Sequence, residues 1–471
     1  MPNKKYDWLY IIFVHESGFA KDGKMVDGFF DNQIENLEKC NYNDKVKVII
    51  VLNYPKVVRT LTKKEKMILA DPRRDSLIFF ETWIYENQNN NGKIRMQNIH
   101  KTNYWQDGLD FVFVNFSAKQ NTLHTVSHST CYEINSTNNG FALNAFANQV
   151  KAYKSELSSY NNSYFKTTLN QIIKKKAIKY YLFAGQPKAN NKVVKLFALH
   201  KKHYKKWGTY NNTNGLLFYD FVRYLKPKKI IFEFLFLNNC GILLYQNMYL
   251  LNGIANLTFG STGDINAEFV NAEIVYNGLM INDSPEQKIK TIFKDCLEFI
   301  NNKDAVELTK NRHYTIINTK NLSGLNEKLK KIFSTVNDIM QKSKAHSLAL
   351  KEHILFEKDN VYTIISDDHE KPYYDLLEFL KSFATYNNNT FGKLLSVFEQ
   401  DLLSPSIMIH SHTGDDKNHH LSICFPNHQQ ILDRVTYLRN FFKQPQNSFA
   451  KETGFDKFIS KLHSLAPNNA F

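Results

Sequence analysis

Long apolar runs are missing from this sequence, and none approaches the roughly 20 residues that a membrane-spanning helix needs. Cysteine is scarce. The five residues Cys40, Cys131, Cys240, Cys296 and Cys424 are odd in number and far apart. That excludes a dense disulfide framework and offers no Cys-x-x-Cys metal pair. An arginine-rich arm, zinc-finger spacing and an RNA-binding aromatic motif are also lacking. The excess of 60 basic over 45 acidic residues gives a formal net charge of +15, but most of it is lysine scattered through Asn- and Lys-rich stretches. Runs such as Lys174-Lys175-Lys176 and Lys201 to Lys206 read as solvated faces, so no nucleic-acid partner is expected. Gly260-Ser-Thr-Gly263 lacks the lysine and spacing of a phosphate loop. No small-residue cleavage site follows Trp8 to Val14, so that run reads as a first strand rather than a secretion signal. The chain is expected to be soluble, cytoplasmic as written, or secreted if an export signal has been removed.

Buried-strand material is abundant, and at 43% hydrophobic residues a packed core is attainable. Trp8 to Val14 and Lys45 to Leu52 read as buried strands around an amphipathic helix, Val26 to Cys40, which makes a parallel βαβ unit. Ser76 to Tyr85 and Leu109 to Phe116 read as further strands. Two helical stretches between Phe141 and Lys176 lead to a strand, Ile178 to Phe183, ending at Ala184-Gly185-Gln186-Pro187. Val193 to Leu199 is either a short strand or a helix start, and Leu216 to Leu225 is a helix. Strand and helix thus alternate through residues 1–284, the pattern of a mainly parallel sheet covered on both sides. From Pro285 the pattern changes. Pro285 to Asn302, Leu322 to Glu352, Tyr373 to Phe398, Gln429 to Phe442 and Phe455 to Leu465 read as helices. Ser404 to Pro426 reads as a hairpin turning at Thr413-Gly-Asp-Asp416. The expected division is an α/β domain over 1–284 and an α+β region over 285–471 packed on it.

One stretch carries the chemistry. Ile230 to Asn238 is nearly all branched or aromatic, a strand buried on both faces, and Asn239 and Cys240 follow it at once. Ile242 to Leu251 has helical spacing. A thiol there lies at the carboxyl end of a parallel strand, where α/β folds bind ligands, with helix-opening N–H groups nearby. A nucleophilic cysteine needs a base, and His200, His203, His124 and His128 are candidates. His124, Ser127, His128 and Cys131 hold the ingredients of a site without a strand–nucleophile–helix frame. His410 and His412, with His419, His420 and His428, lack a carboxylate or thiol to complete a tetrahedral set. No metal and no cofactor are expected.

Four stretches, in order along nearly the whole chain, resemble the clostripain-like cysteine peptidases. These are Trp8 to Val14 with Glu16 to Gly23, then Phe236-Leu-Asn-Asn-Cys240-Gly-Ile-Leu, where the family has Phe-Asp-Ala-Cys-Leu-Met. Ile254 to Ser261 resembles the next strand. His420-Leu-Ser-Ile-Cys-Phe-Pro426 with Phe449 to Phe458 resembles the closing hairpin and helix. The resemblance implies a caspase-like, mainly parallel sheet between helices, with a mostly helical C-terminal region carrying a β-hairpin. It implies a peptide or protein as substrate or ligand, with Cys240 in the nucleophile position. Gly185 and Cys240 backbone N–H groups would stabilise the oxyanion. Asn238, Gly185, Ser261, Asp264 and Glu268 would line the substrate site. Two departures stand out. The family's His-Gly pair ends the strand before the nucleophile strand, and here that corner is expected at Ala184-Gly185. The pocket Asp is Asn238. The expectation is a homologue with impaired or lost catalysis acting as a binding protein; the alternative is an active endopeptidase pairing Cys240 with His200 or His203.

Overall fold

The computed structural model describes residues 5–16, 28–60, 76–127, 133–135, 216–263, 265, 268–302, 313–342, 344–357, 373–413, 421–424 and 448–464. The expected elements within 136–215, at 429–442 and at the 414–416 turn lie outside these residues.

The chain opens with β1 (Lys5–His15), α1 (Phe29–Glu38) and β2 (Val46–Thr60). β1 and β2 pair in parallel from Trp8↔Val46 to His15↔Asn53, as a βαβ unit requires. Both faces of β1 are buried, with Leu9, Ile11 and Phe13 on one side and Trp8, Tyr10, Ile12 and Val14 on the other, which is why its sequence is apolar without alternation. β3 (Ser76–Asn90) and β4 (Lys93–Thr102) form a hairpin on β2, closed by Asn91 and Gly92 at φ 52 and 83, the paired positive dihedrals that a two-residue turn demands.

Next come α2 (Trp105–Asn115) and β5 (Ser117–Val126). The expectation of a strand over Leu109 to Phe116 is corrected here. Trp105, Leu109 and Val112 recur at helical spacing and are buried, whereas Val114 is 76% exposed. The true strand begins with the polar run Ser117-Ala-Lys-Gln-Asn-Thr122, which is half-exposed until Thr122. β6 (Glu133–Asn135) and β7 (Leu216–Leu217) make a small separate pair. α3 (Phe218–Leu225), β8 (Phe232–Asn238), α4 (Tyr245–Leu250), β9 (Ala255–Ser261), α5 (Ala272–Met280) and α6 (Pro285–Asn302) follow.

Beyond residue 302 lie β10 (His313–Asn318), α7 (Leu322–Lys342), α8 (Lys344–Glu357), β11 (Tyr373–Asp375), α9 (Leu376–Tyr386) and α10 (Asn388–Leu402). β12 (Met408–Thr413), β13 (Ser422–Cys424), α11 (Ser448–Thr453) and α12 (Phe455–Ser464) complete the chain. The expected hairpin is not formed. β12 pairs with β10, whereas β13 pairs with β11 in a different sheet. The expected helix over Leu322 to Glu352 is two helices, and β10 was not anticipated.

The main sheet runs β12-β10-β9-β8-β5-β1-β2-β3-β4. Its centre, β9-β8-β5-β1-β2, is parallel, and an antiparallel pair extends each side. One face packs against α1, α5 and α6, the other against α2, α3, α4 and the C-terminal helices. The fold is therefore a caspase-like mixed sheet between helical layers, with β10 and β12 joining it from beyond residue 285. No helix among the described residues is long and apolar enough to cross a membrane.

α5 shows how tightly the layers close. Its N-terminus is capped by Asn271, whose side chain accepts from Glu273 and Ile274 N–H. At Gly278 an added Cβ would lie 2.2 Å from Ile292 Cγ1 on α6. Gly278→Ala should therefore lower unfolding stability by about 1–3 kcal/mol through overpacking, while Gly324→Ala, in open space, should not. Urea-unfolding midpoints of the two variants check this.

Candidate active site

The five parallel strands end along one edge, and strand order reverses beside β1, whose successor β2 lies on one side and β5 on the other. Such a switch point is where open α/β sheets bind ligands. Cys240 lies on this edge, directly beyond β8 and Asn239. It is half-buried and in no disulfide among the described residues, with Sγ 4.0 Å from the Ile265 carbonyl. Cys40 and Cys296 are buried instead, and burial pushes both thiols up to about 12, which makes them inert.

The loop after Cys240 is pinned from two sides. Gly241 turns the chain at φ 60, a left-handed conformation that favours glycine. Its N–H donates to the Gly263 carbonyl at 2.7 Å, and Leu243 N–H donates to the Ser261 carbonyl at 3.1 Å. From the other side, the N–H and Oγ of Ser422 both donate to the Leu243 carbonyl at 3.0 Å. β13 thus buttresses the loop after Cys240 from the C-terminal region. This loop corrects one expectation. The helix starts at Tyr245 rather than Ile242, because Leu244 is extended and bridged to Ser422. The thiol therefore does not cap the helix.

A second feature went unread in the sequence. Thr82, Asn53, His15, Ser127 and Asn239, each at most 7% exposed, form a transverse polar row on the α2 and α3 side of the edge. They occupy neighbouring strands β3, β2, β1, β5 and β8 or the residue just past them. Thr82 Oγ1 donates to Asn53 Oδ1 at 3.1 Å, and Asn53 Nδ2 lies 3.5 Å from His15 Nδ1. At the far end, Asn239 Oδ1 accepts from Thr125 Oγ1 at 2.5 Å while its Nδ2 donates to Ser127 Oγ at 2.9 Å and the Ser127 carbonyl at 3.3 Å. The available signal was the abrupt change from apolar to polar residues at each strand end. On the opposite face, fully buried Glu16 accepts from Phe30 N–H at 2.7 Å in the first turn of α1, a helix N-terminus that suits a carboxylate.

The strand beside the nucleophile strand is not the expected one. β8 pairs with β5 on one edge, from Thr122↔Phe234 to Val126↔Asn238, and with β9 on the other. Both edges are taken, and the strand end beside Asn238 is that of β5, at Val126. Gly185, Ala184, His200, His203, Asp264 and His128 lie outside the described residues. Among the expected substrate-site residues, Asn238 is buried on the face that carries Phe234 and Phe236, Ser261 is buried against Gly263, and Glu268 is half-buried. At the sheet margin His410 meets Phe293 edge-on and His412 stacks on Tyr314, and no three-ligand metal cluster exists among the described residues.

His124 is a core residue. Its ring stacks with Tyr10 and meets Phe236 edge-on, and Nδ1 lies 3.0 Å from the Tyr10 hydroxyl. Burial pushes its pKa from 6.5 down to about 3. It is therefore a neutral structural imidazole, two residues inside the edge.

With this geometry in hand, solved structures of the same architecture are informative. A secreted C11 cysteine protease from Bacteroides thetaiotaomicron, in complex with an irreversible peptide inhibitor, aligns over 95% of this chain and 99% of its own, with 11% identity and a TM-score of 0.53. The fold is that of the C11, clostripain-like, cysteine proteases. An inactive zymogen C11 protease from Parabacteroides distasonis aligns over 96% of this chain and 99% of its own, with 10% identity and a TM-score of 0.55. No protein-family model and no curated protein matches the sequence.

The buried His124 gives a pH prediction. Between pH 6.5 and about 3 the unfolded chain protonates this histidine and the folded chain does not. The unfolded state then binds more protons, so His124 erodes stability as pH falls through that window and has no effect above it. His124→Gln, which keeps an acceptor for Tyr10, should flatten the loss of unfolding midpoint between pH 7 and 4.

Proposed function

We propose that this chain is a cysteine peptidase that cleaves peptide or protein substrates with Cys240 as nucleophile and His128 as general base and acid. The observation that carries this reading is the pairing of β5 with β8. The clostripain-like pattern puts the catalytic histidine at the end of the strand before the nucleophile strand, and β5 ends at Val126-Ser127 with His128 next in sequence. Side chains alternate along a strand. The pairing ends at Val126↔Asn238, and this reading requires its register and alternation to continue for two residues, which would bring His128 level with Cys240 on one face. His128 is one of the four histidines that the sequence offers as the base, and it follows Ser127, the last described residue after β5.

In this reading, the imidazole takes the Cys240 proton and the thiolate attacks the scissile carbonyl carbon. The imidazolium then protonates the leaving amine, and water hydrolyses the thioester with the same base. The N–H groups of Gly241 and Leu243 are already bound to Gly263 and Ser261 carbonyls, so oxyanion donors come from elsewhere on the edge. Asn238 in place of an acidic residue removes the charge that would select Arg or Lys, so the preferred side chain beside the cleaved bond is uncharged. The other reading, a non-catalytic peptide-binding chain, rests on Ala184-Gly185 standing for the family's His-Gly pair and on Asn238 standing for its Asp.

A peptide-library digest tests this. Turnover is expected after uncharged residues, and Cys240→Ala and His128→Ala should each lower it by about a thousandfold or more. Asn238→Asp should raise cleavage after Arg and Lys by about tenfold or more. Undiminished turnover in Cys240→Ala ends the proposal. A chain that binds peptides and never turns them over is a binding module.

A further inference from the structure

The backbone ladder between β5 and β8 ends at Val126↔Asn238, one residue short of the thiol's immediate neighbour. Beyond that pair, side chains hold the two chain segments together. Asn239 does so with both ends of its amide, accepting from Thr125 Oγ1 and donating to the Oγ and carbonyl of Ser127. It is fully buried. The preceding residues on its face, Leu235 and Leu237, are apolar core, and an apolar side chain would have continued that packing. A buried amide is instead costly unless satisfied, and a satisfied one specifies a single arrangement. These bonds lie on the opposite face from Phe236, Asn238 and the cluster against which Cys240 packs.

We propose that Asn239 is a positioning residue of the site: by binding Thr125 and Ser127 it fixes the end of β5 at the height of Cys240. This rests on the reading of Cys240 and His128 as a nucleophile–base pair. The clamp acts at the one place where a small slip between two strand ends would separate thiol and base, and misplacement by about 1 Å costs on the order of a hundredfold in rate. On the same face a second set of bonds links the ends of β1, β2 and β3 through His15, Asn53 and Thr82.

The test reads thiol chemistry and needs no substrate. Cys240 alkylation by iodoacetamide is followed from pH 5 to 9 by mass spectrometry of the full chain. In the wild type the reactive limb should lie below the range of an ordinary thiol, near 8.5. His128→Ala should move it up to that range. Asn239→Ala should move it in the same direction and slow alkylation at pH 6 by about tenfold. Thr125→Val and Ser127→Ala, which delete single clamp bonds, should give smaller shifts and carry the test if Asn239→Ala does not fold. If His128→Ala shifts the limb and the three clamp variants keep the wild-type profile, Asn239 merely packs and the proposal falls while the nucleophile–base reading stands. If His128→Ala itself changes nothing, the pair does not exist, and the positioning role falls with it.

Discussion

The rest of the molecule depends on the parallel pairing of β5 with β8. It brings two strand ends distant in sequence, Ser127 and Asn239, into side-chain contact on one edge of the sheet. It also fills the second edge of β8, since β9 takes the other. Every functional inference follows from which residues come next on each strand: Cys240 after β8 and His128 after β5. The energetic basis is ordinary. Strands buried on both faces satisfy their polar backbone by pairing and cover their side chains with helices on either side.

The C-terminal region is part of this arrangement. β10 and β12 extend the sheet, and Ser422 on β13 holds the Leu243 carbonyl three residues after the thiol. α11 packs Phe449 against Tyr245 and Tyr249 of α4, while Glu452 accepts from the Tyr249 hydroxyl and from Asn326 Nδ2 on α7. The segment after Cys240 is therefore held between β9, the next strand in sequence, and elements 179 or more residues further on. Such long-range contacts make the loop's shape a property of the whole fold rather than of its local sequence.

Legibility in the sequence tracked burial. β1, β2 and β8 were readable because burial on both faces leaves unbroken apolar runs, and α6 because its apolar stripe is bounded by Pro285 and ends at Asn302. Cys240 was found because a strand so apolar ending in two asparagines and a thiol is conspicuous. β5 was not readable, since its first half is polar and half-exposed and α2 just before it is rich in residues that favour strands. The strand that pairs with β8 on that side was therefore sought later in the chain, at Ile178 to Phe183, and not at Ser117–Val126. The polar row was missed for a different reason: its members are single residues on five segments, united only by register.

A cross-link tests directly whether the corner after β5 faces Cys240. Cα atoms on adjacent strands lie within disulfide range, roughly 4.4–6.8 Å. In a Cys131→Ser background, His128→Cys should oxidise to a disulfide with Cys240 in high yield under mild conditions, and Ala184→Cys should not. A disulfide from position 184, or none from position 128 in the folded protein, would contradict the account.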